Sequence, residues 1–337
     1  MLIVSAASAE VKPLSGAVIV VDPGHGGQSY SKSYTGGTRG VNSKITESEL
    51  NLRVGLELAK ILADEGATVH LTRVADHRLS REGSSNTAEL HARIDFFEHH
   101  GCHFFLSVHH NAGPETATGH TAITKHNAKD DTLYESLARE VNDALAAAVP
   151  GPKRKLLKGS YHLTRETTIP GTISEAGFLT NAAYDKLANE PAYAKREATA
   201  LAAGAVMYWR AHKPALVKMQ AAFVAEKVKK PADMNAYTAT QLNPDYQKAM
   251  AATLAKIAPA GKYDASKVKD YLRAFQQSLP PGGFDIQAAF DGKTIKLTGK
   301  AAERKYHDQW IDLLVAMKLY AIANGIELPH KVAAEKP

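Results

Sequence analysis

The chain has 337 residues, is 44% hydrophobic and carries a formal charge of +6, and this length exceeds a typical single domain and points to two. No apolar run approaches the roughly 18 residues of a membrane span, which excludes a transmembrane helix. One cysteine, Cys102, excludes a disulfide framework and a cysteine-rich zinc site.

Residues 1–12 open with "MLIVSAASAE", which resembles the tail of a secretory signal with a small-x-small cleavage site after Ala9 and predicts export. Residues 16–21, "GAVIVV", form a continuous apolar run, the pattern of a strand buried on both faces. Residues 47–66 place Leu50, Val54, Leu58, Ile61 and Leu62 at helical spacing and stop at Gly66. "ATVHLTR", "HFFLSVHH", "TAIT" and "GTISEAGF" read as further strands, and residues 131–149 and 192–211 as long helices. Cys102 precedes the "HFFLSVHH" strand and reads as a small buried side chain. This alternation predicts an open, mostly parallel α/β sheet with helices on both faces.

After Trp209 the sequence turns Lys- and Ala-rich and reads as a linker plus helix. Two short helices are expected over residues 245–259 and 264–279, and a hairpin over 284–300 with Asp291-Gly292 as its turn. A final amphipathic helix is expected over 302–325. Residues 213–337 hold 19 of the 41 Lys and Arg but only 12 of the 35 Asp and Glu, so the whole basic excess lies there and suggests an anionic partner. The basic residues are scattered and no nucleic-acid motif appears, which argues against nucleic acid. The predicted organisation is therefore a signal remnant over 1–12, a catalytic domain over 13–212 and a small basic α+β domain over 213–337.

Ligands of open α/β sheets gather beyond the carboxyl ends of strands. His25, in "VVDPGHGG", His109, in "LSVHHNAG", and Glu175, in "ISEAGFLTN", all fall at such ends, while Glu47 opens a helix. Two imidazoles and one carboxylate make a common catalytic zinc shell with one position open. The glycines around His25 leave the backbone room to turn beside an ion. Glu49, two residues beyond Glu47, is the competing carboxylate.

These motifs, "VVDPGHGG", "ESELNL", "LTR", "LSVHHNAG" and "ISEAGFLTN", run in the order found in the zinc-dependent N-acetylmuramoyl-L-alanine amidases of the amidase-3 family, which this chain resembles over residues 17–209. The resemblance implies one Zn2+ held by His25, Glu47 and His109, with Glu175 as the catalytic glutamate, in an exported hydrolase of peptidoglycan acting in the periplasm or the extracellular wall. It favours Glu47 over Glu49 by position. Where the family has Gly-x-Glu this chain has "TGHTAIT", with His120 replacing the acid. Asn111 and Asn181 stand near the rim as candidate substrate contacts, Arg73 as a tie between loops, and His110 on the opposite face of the strand from His109. One ordinary helix lies between "TAIT" and "SYHL", so the site is expected to be open without an activator. The alternatives are a zinc peptidase cutting the stem peptide, or a non-catalytic wall-binding protein. Residues 213–337 are the expected cell-wall targeting module, with an anionic wall polymer as partner.

Overall fold

The computed structural model describes residues 11–26, 36–73, 78–79, 85–129 and 132–229, together with three strands and two isolated residues beyond. The strands are β1 (Val18–Pro23), β2 (Thr68–Leu71), β3 (Phe104–Asn111), β4 (Thr121–Lys125), β5 (Leu157–Gly159) and β6 (Gly171–Phe178). They form one sheet in the order β2-β1-β3-β6-β4-β5. β2, β1, β3 and β6 run parallel, and β4 is reversed against β6.

Helix α1 (Glu47–Asp64) begins where the Thr46 hydroxyl accepts from the Glu49 amide, and it turns Leu50, Val54, Leu58 and Leu62 onto the sheet. Gly66, at φ +99°, ends the turn that follows. α3 (Leu133–Ala148), capped by Thr132, buries Leu137, Val141 and Leu145 in the same way. α6 (Tyr193–Lys229) completes this layer. Its Leu201, Tyr208 and Trp209 join Ile19, Val21, Phe104, Leu106 and Val108 in the larger core. On the other face, α2 (Asn86–His99) and the short α4 (His162–Arg165) cover Val20 and Phe105 with Phe97 and Leu163. Helices thus lie on both faces, as expected. α5 (Ala182–Ala188) follows β6.

Two sequence expectations change. Where a linker is expected directly after Trp209, α6 continues through Pro214 to Lys229. Pro214 removes one helical hydrogen bond, but Leu216 is fully buried, Lys213 Nζ donates to Ser15 O at 3.1 Å and Gln220 Nε2 to Gly101 O at 2.9 Å. Phe223 packs against the second core. These contacts tie residues 213–223 to the sheet domain, across the boundary expected at 212. A chain ending at residue 212 is expected to unfold roughly 5 °C or more below one ending at 229, from lost apolar burial. Equal unfolding midpoints would return those residues to the C-terminal part.

In the C-terminal part, β7 (Phe284–Phe290) pairs antiparallel with β8 (Thr294–Ala301), as the hairpin predicts. The end of the expected final helix is instead a strand, β9 (Ala321–Glu327), parallel to β8. Its short apolar "AIA" opening fits either period, and pairing with β8 decides it. The helices expected over 245–259 and 264–279 lie outside the described residues, except that Asp270 and Arg273 are helical, and so do residues 302–320.

Candidate metal centre

β1 leaves the sheet at Pro23, and His25 takes φ +63°, a conformation histidine adopts more readily than most residues. The turn is held from below. Asp22, fully buried, accepts from Thr72 Oγ1 and Ser107 Oγ, each at 2.7 Å, and pairs with Arg93. Burial opposes its charge, but Arg93 and the two hydroxyls keep its carboxyl below the usual range. Arg93 also donates to the carbonyls of Pro23 at 3.1 Å and His25 at 2.6 Å. Arg73 donates to Pro23 O, Gly24 O and Ser48 O at 2.6–2.8 Å, joining this turn to α1 as expected of a tie between loops.

Glu47 is the first residue of α1, where the positive helix end favours a carboxylate. Its Oε1 meets His25 Nε2 at 3.1 Å and His109 Nδ1 at 2.9 Å and accepts from the His110 amide at 3.2 Å. Its Oε2 accepts from the Thr38 amide at 2.9 Å. Burial works against its charge, yet the bonds from His109 and His25 hold the carboxyl far below its ordinary value. Burial also lowers the pKa of His25, which favours its neutral ring. Glu49, the competing carboxylate, points outward and pairs with Arg53.

Glu175 stands beside His109 in the parallel register of β6 on β3, so both side chains project on one face. Its Oε2 is buried without a hydrogen-bond partner among the described residues. Burial and the charge of Glu47 push its carboxyl up to about 8. His25, Glu47, His109 and Glu175 line one cleft of about 320 Å³, with Leu90, Asn111, Tyr161 and His162 on its walls. α3, the helix of ordinary length, lines none of it.

Donor atoms of His25, Glu47 and His109 lie within 4.8 Å of one another. Two neutral-type nitrogen donors and one charged oxygen are the donor set of a divalent transition ion with an open position. The backbone around them is cut to fit. A Cβ on Gly24 would lie 2.1 Å from His109 Nε2, and one on Gly37, at φ +77°, would lie 2.2 Å from Glu47 Oε2. Glycine here is required by the close approach of the two side chains, beyond any need of the turn. The residues present fit such an ion.

His110 faces the other side of β3, as expected. Its Nδ1 meets Asn51 Oδ1 at 2.7 Å and its Nε2 meets Glu197 Oε2 at 3.0 Å. Burial alone would lower its pKa, but the Glu197 carboxylate raises it. Asn111 lines the cleft, with its Oδ1 accepting from the Ala112 amide. Asn181, expected to contact substrate, is instead occupied with structure: its Oδ1 caps α5 and its Nδ2 donates to Glu115 O at 2.7 Å, and it is not among the cleft residues. His120 is buried beside Lys153, away from the cleft. Cys102 is buried and its thiol is inert. Sequence reasoning missed Arg93, Tyr161 and His162. Arg93 was signalled only by its place, four residues after Glu89, with which it pairs.

The family described as N-acetylmuramoyl-L-alanine amidase matches residues 19–206. A germination-specific N-acetylmuramoyl-L-alanine amidase of Bacillus subtilis is 29% identical over 204 residues, 58% of this chain and 81% of that protein. An uncharacterised cell wall amidase of Bacillus anthracis is 30% identical over 207 residues, 59% of this chain and 37% of its own length. Among solved structures, an N-acetylmuramoyl-L-alanine amidase from Clostridium difficile 630 superposes with a TM-score of 0.50 at 25% identity, covering 58% of this chain and 97% of that one. The CwlD amidase of Clostridioides difficile, solved in complex with the GerS lipoprotein, shares the fold with a TM-score of 0.52 at 24% identity, over 58% of this chain and 99% of its own.

Proposed function

The chain belongs to the N-acetylmuramoyl-L-alanine amidase family, and from that premise we propose that His25, Glu47 and His109 hold one zinc ion and that Glu175 moves the protons of amide hydrolysis. The enzyme hydrolyses an amide of peptidoglycan. The bond proposed is the one between the lactyl group of N-acetylmuramic acid and L-alanine. When bound, zinc supplies acidification of water and polarisation of the scissile carbonyl.

The chain's own residues do the rest. Glu47 and the two imidazoles fix the position at which water and carbonyl meet. Glu175 projects from the neighbouring strand onto the same face, takes a proton from the attacking water and returns it to the departing amine, a poor leaving group without it. Leu90 and Ile173 add apolar wall to the cleft. The observation that carries this reading is the meeting of Glu47 Oε1 with His25 Nε2 at 3.1 Å and His109 Nδ1 at 2.9 Å, in a cleft into which Glu175 brings an unpartnered buried oxygen.

The named relatives include cell wall amidases, which supports work on the wall after export, in periplasm or extracellular wall. The basic excess of residues 213–337 supports adhesion of that part to an anionic wall polymer. Among the described residues no helix is long and apolar enough to cross a membrane.

Mass analysis of digested peptidoglycan tests the reaction. Free peptides with an L-alanine amino terminus and intact glycan strands are the expected products. Shortened stem peptides still attached to muramic acid would make the chain a peptidase instead, and no release at all would make it a binding protein.

A further inference from the structure

His162 opens the short helix α4 and lines the cleft together with Leu90, Tyr161 and Leu163. Its ring is fixed on two sides. Arg165 Nη2 approaches Nδ1 at 3.4 Å, and the His91 ring packs edge-on with centroids 4.4 Å apart. A guanidinium only donates, so Nδ1 is the acceptor and a neutral ring carries its proton on Nε2. Burial, with the neighbouring His91, lowers the ring's pKa. Nε2 is buried and has no hydrogen-bond partner among the described residues. A buried N–H donor without an acceptor is uncommon in a folded chain and calls for a reason, and His162 lines the cleft in which a substrate would lie.

We propose that His162 is a substrate-positioning residue whose Nε2–H donates to an amide carbonyl oxygen of the bound muramoyl-peptide. The inference rests on the amidase reading for the identity of the substrate. Two carbonyls have this chemistry, the acetamido group of the sugar and the peptide carbonyl beyond the scissile bond. The donor takes no part in proton transfer. It holds the substrate so that the lactyl amide lies between the metal site and Glu175.

Binding is the readout that separates this idea from the amidase reading. N-acetylmuramoyl-L-alanyl-D-isoglutamine is titrated calorimetrically into the zinc-loaded full chain carrying Glu175→Gln, with and without His162→Phe. His162→Phe is expected to weaken binding at least tenfold, with bound zinc and unfolding temperature unchanged. His162→Gln, which keeps a donor, is expected to recover most of the loss. In an otherwise unaltered active site, the same variants raise KM and leave kcat within about threefold. Equal affinities with and without the imidazole would overturn the assignment. So would a loss that Gln fails to recover, since shape alone would then explain it. A ligand lacking the N-acetyl group distinguishes the two carbonyls: the Phe effect disappears for the acetamido oxygen and persists for the peptide one. Failure of the unaltered enzyme to release peptide would sink the amidase reading, while the binding comparison would still judge His162.

Discussion

Replacing Glu175 with glutamine is expected to lower the turnover of a muramoyl-peptide by about 10²–10⁴-fold, the range for removal of a general acid–base group, with no change in bound metal. The carboxylate stands beside His109 in the strand register but contributes no donor atom to the three-residue metal cluster. The ion therefore stays while the proton carrier goes. Turnover within a few-fold of the parent would show that Glu175 is only a buried strand-end acid.

The same variant gives a second signal in metal-free protein. There, burial and the charge of Glu47 push the Glu175 carboxyl up to about 8 from an ordinary 4.5. Its folded-state pKa lies above its unfolded value. The stability it contributes is therefore full below about pH 4.5 and lost as pH rises through about 8. Glutamine has no proton to lose. The metal-free variant is expected to unfold at a higher temperature than its parent at pH 9, with the two converging near pH 4. Charge compensation by a dication beside Glu47 removes part of the push, so the difference narrows when zinc is present.

Substitution of His109 with alanine is expected to abolish both activity and metal retention. Loss of an outer partner of a metal ligand costs roughly 10–100-fold in affinity, and loss of a ligand costs more. His109 also shares Glu47 Oε1 with His25, so its removal leaves a two-residue site. Chelation of the parent should have the same effect, reversed by added zinc. Because an ion that binds only the folded chain stabilises it by mass action, about 4 kcal/mol at a thousand-fold excess over Kd, zinc should raise the parent's unfolding temperature and leave that of His109→Ala unmoved. Metal content measured after dialysis, together with thermal unfolding, checks both. A His109→Ala chain that retains stoichiometric zinc would overturn the ligand assignment.

Much of this was readable from the chain because the sheet is buried on both faces. β1 and β3 are apolar runs except for the buried pair Asp22 and Ser107 and the polar carboxyl end of β3, and α1 and α3 carry their buried residues four apart. What escaped reading obeys other physics. α2 turns Glu89 and Arg93 inward, both fully or nearly buried, so its inner face is a charge network and no apolar period announces it. β5 has three residues, too few for a period. Pro214 argues for a helix end, yet tertiary contacts at Leu216 and Gln220 carry α6 past it. Asn181 is expected at the rim as a polar group, but asparagine before a helix is first of all a cap, and its side chain caps α5. Motif position favours Glu47 over Glu49, and helix geometry agrees. Two residues on a helix are about 200° apart, and one lies in the cleft while the other lies in solvent.

The two guanidiniums under the His25 turn hold main-chain carbonyl oxygens. Main-chain atoms are the same whatever side chain they carry. The scaffold therefore separates keeping the loop in place from choosing what the loop presents, and at this position the donor chemistry is free to drift while its support stays constant. The left-handed backbone at residue 25 narrows the drift to the side chains that tolerate it, of which aspartate is the other strong ligand.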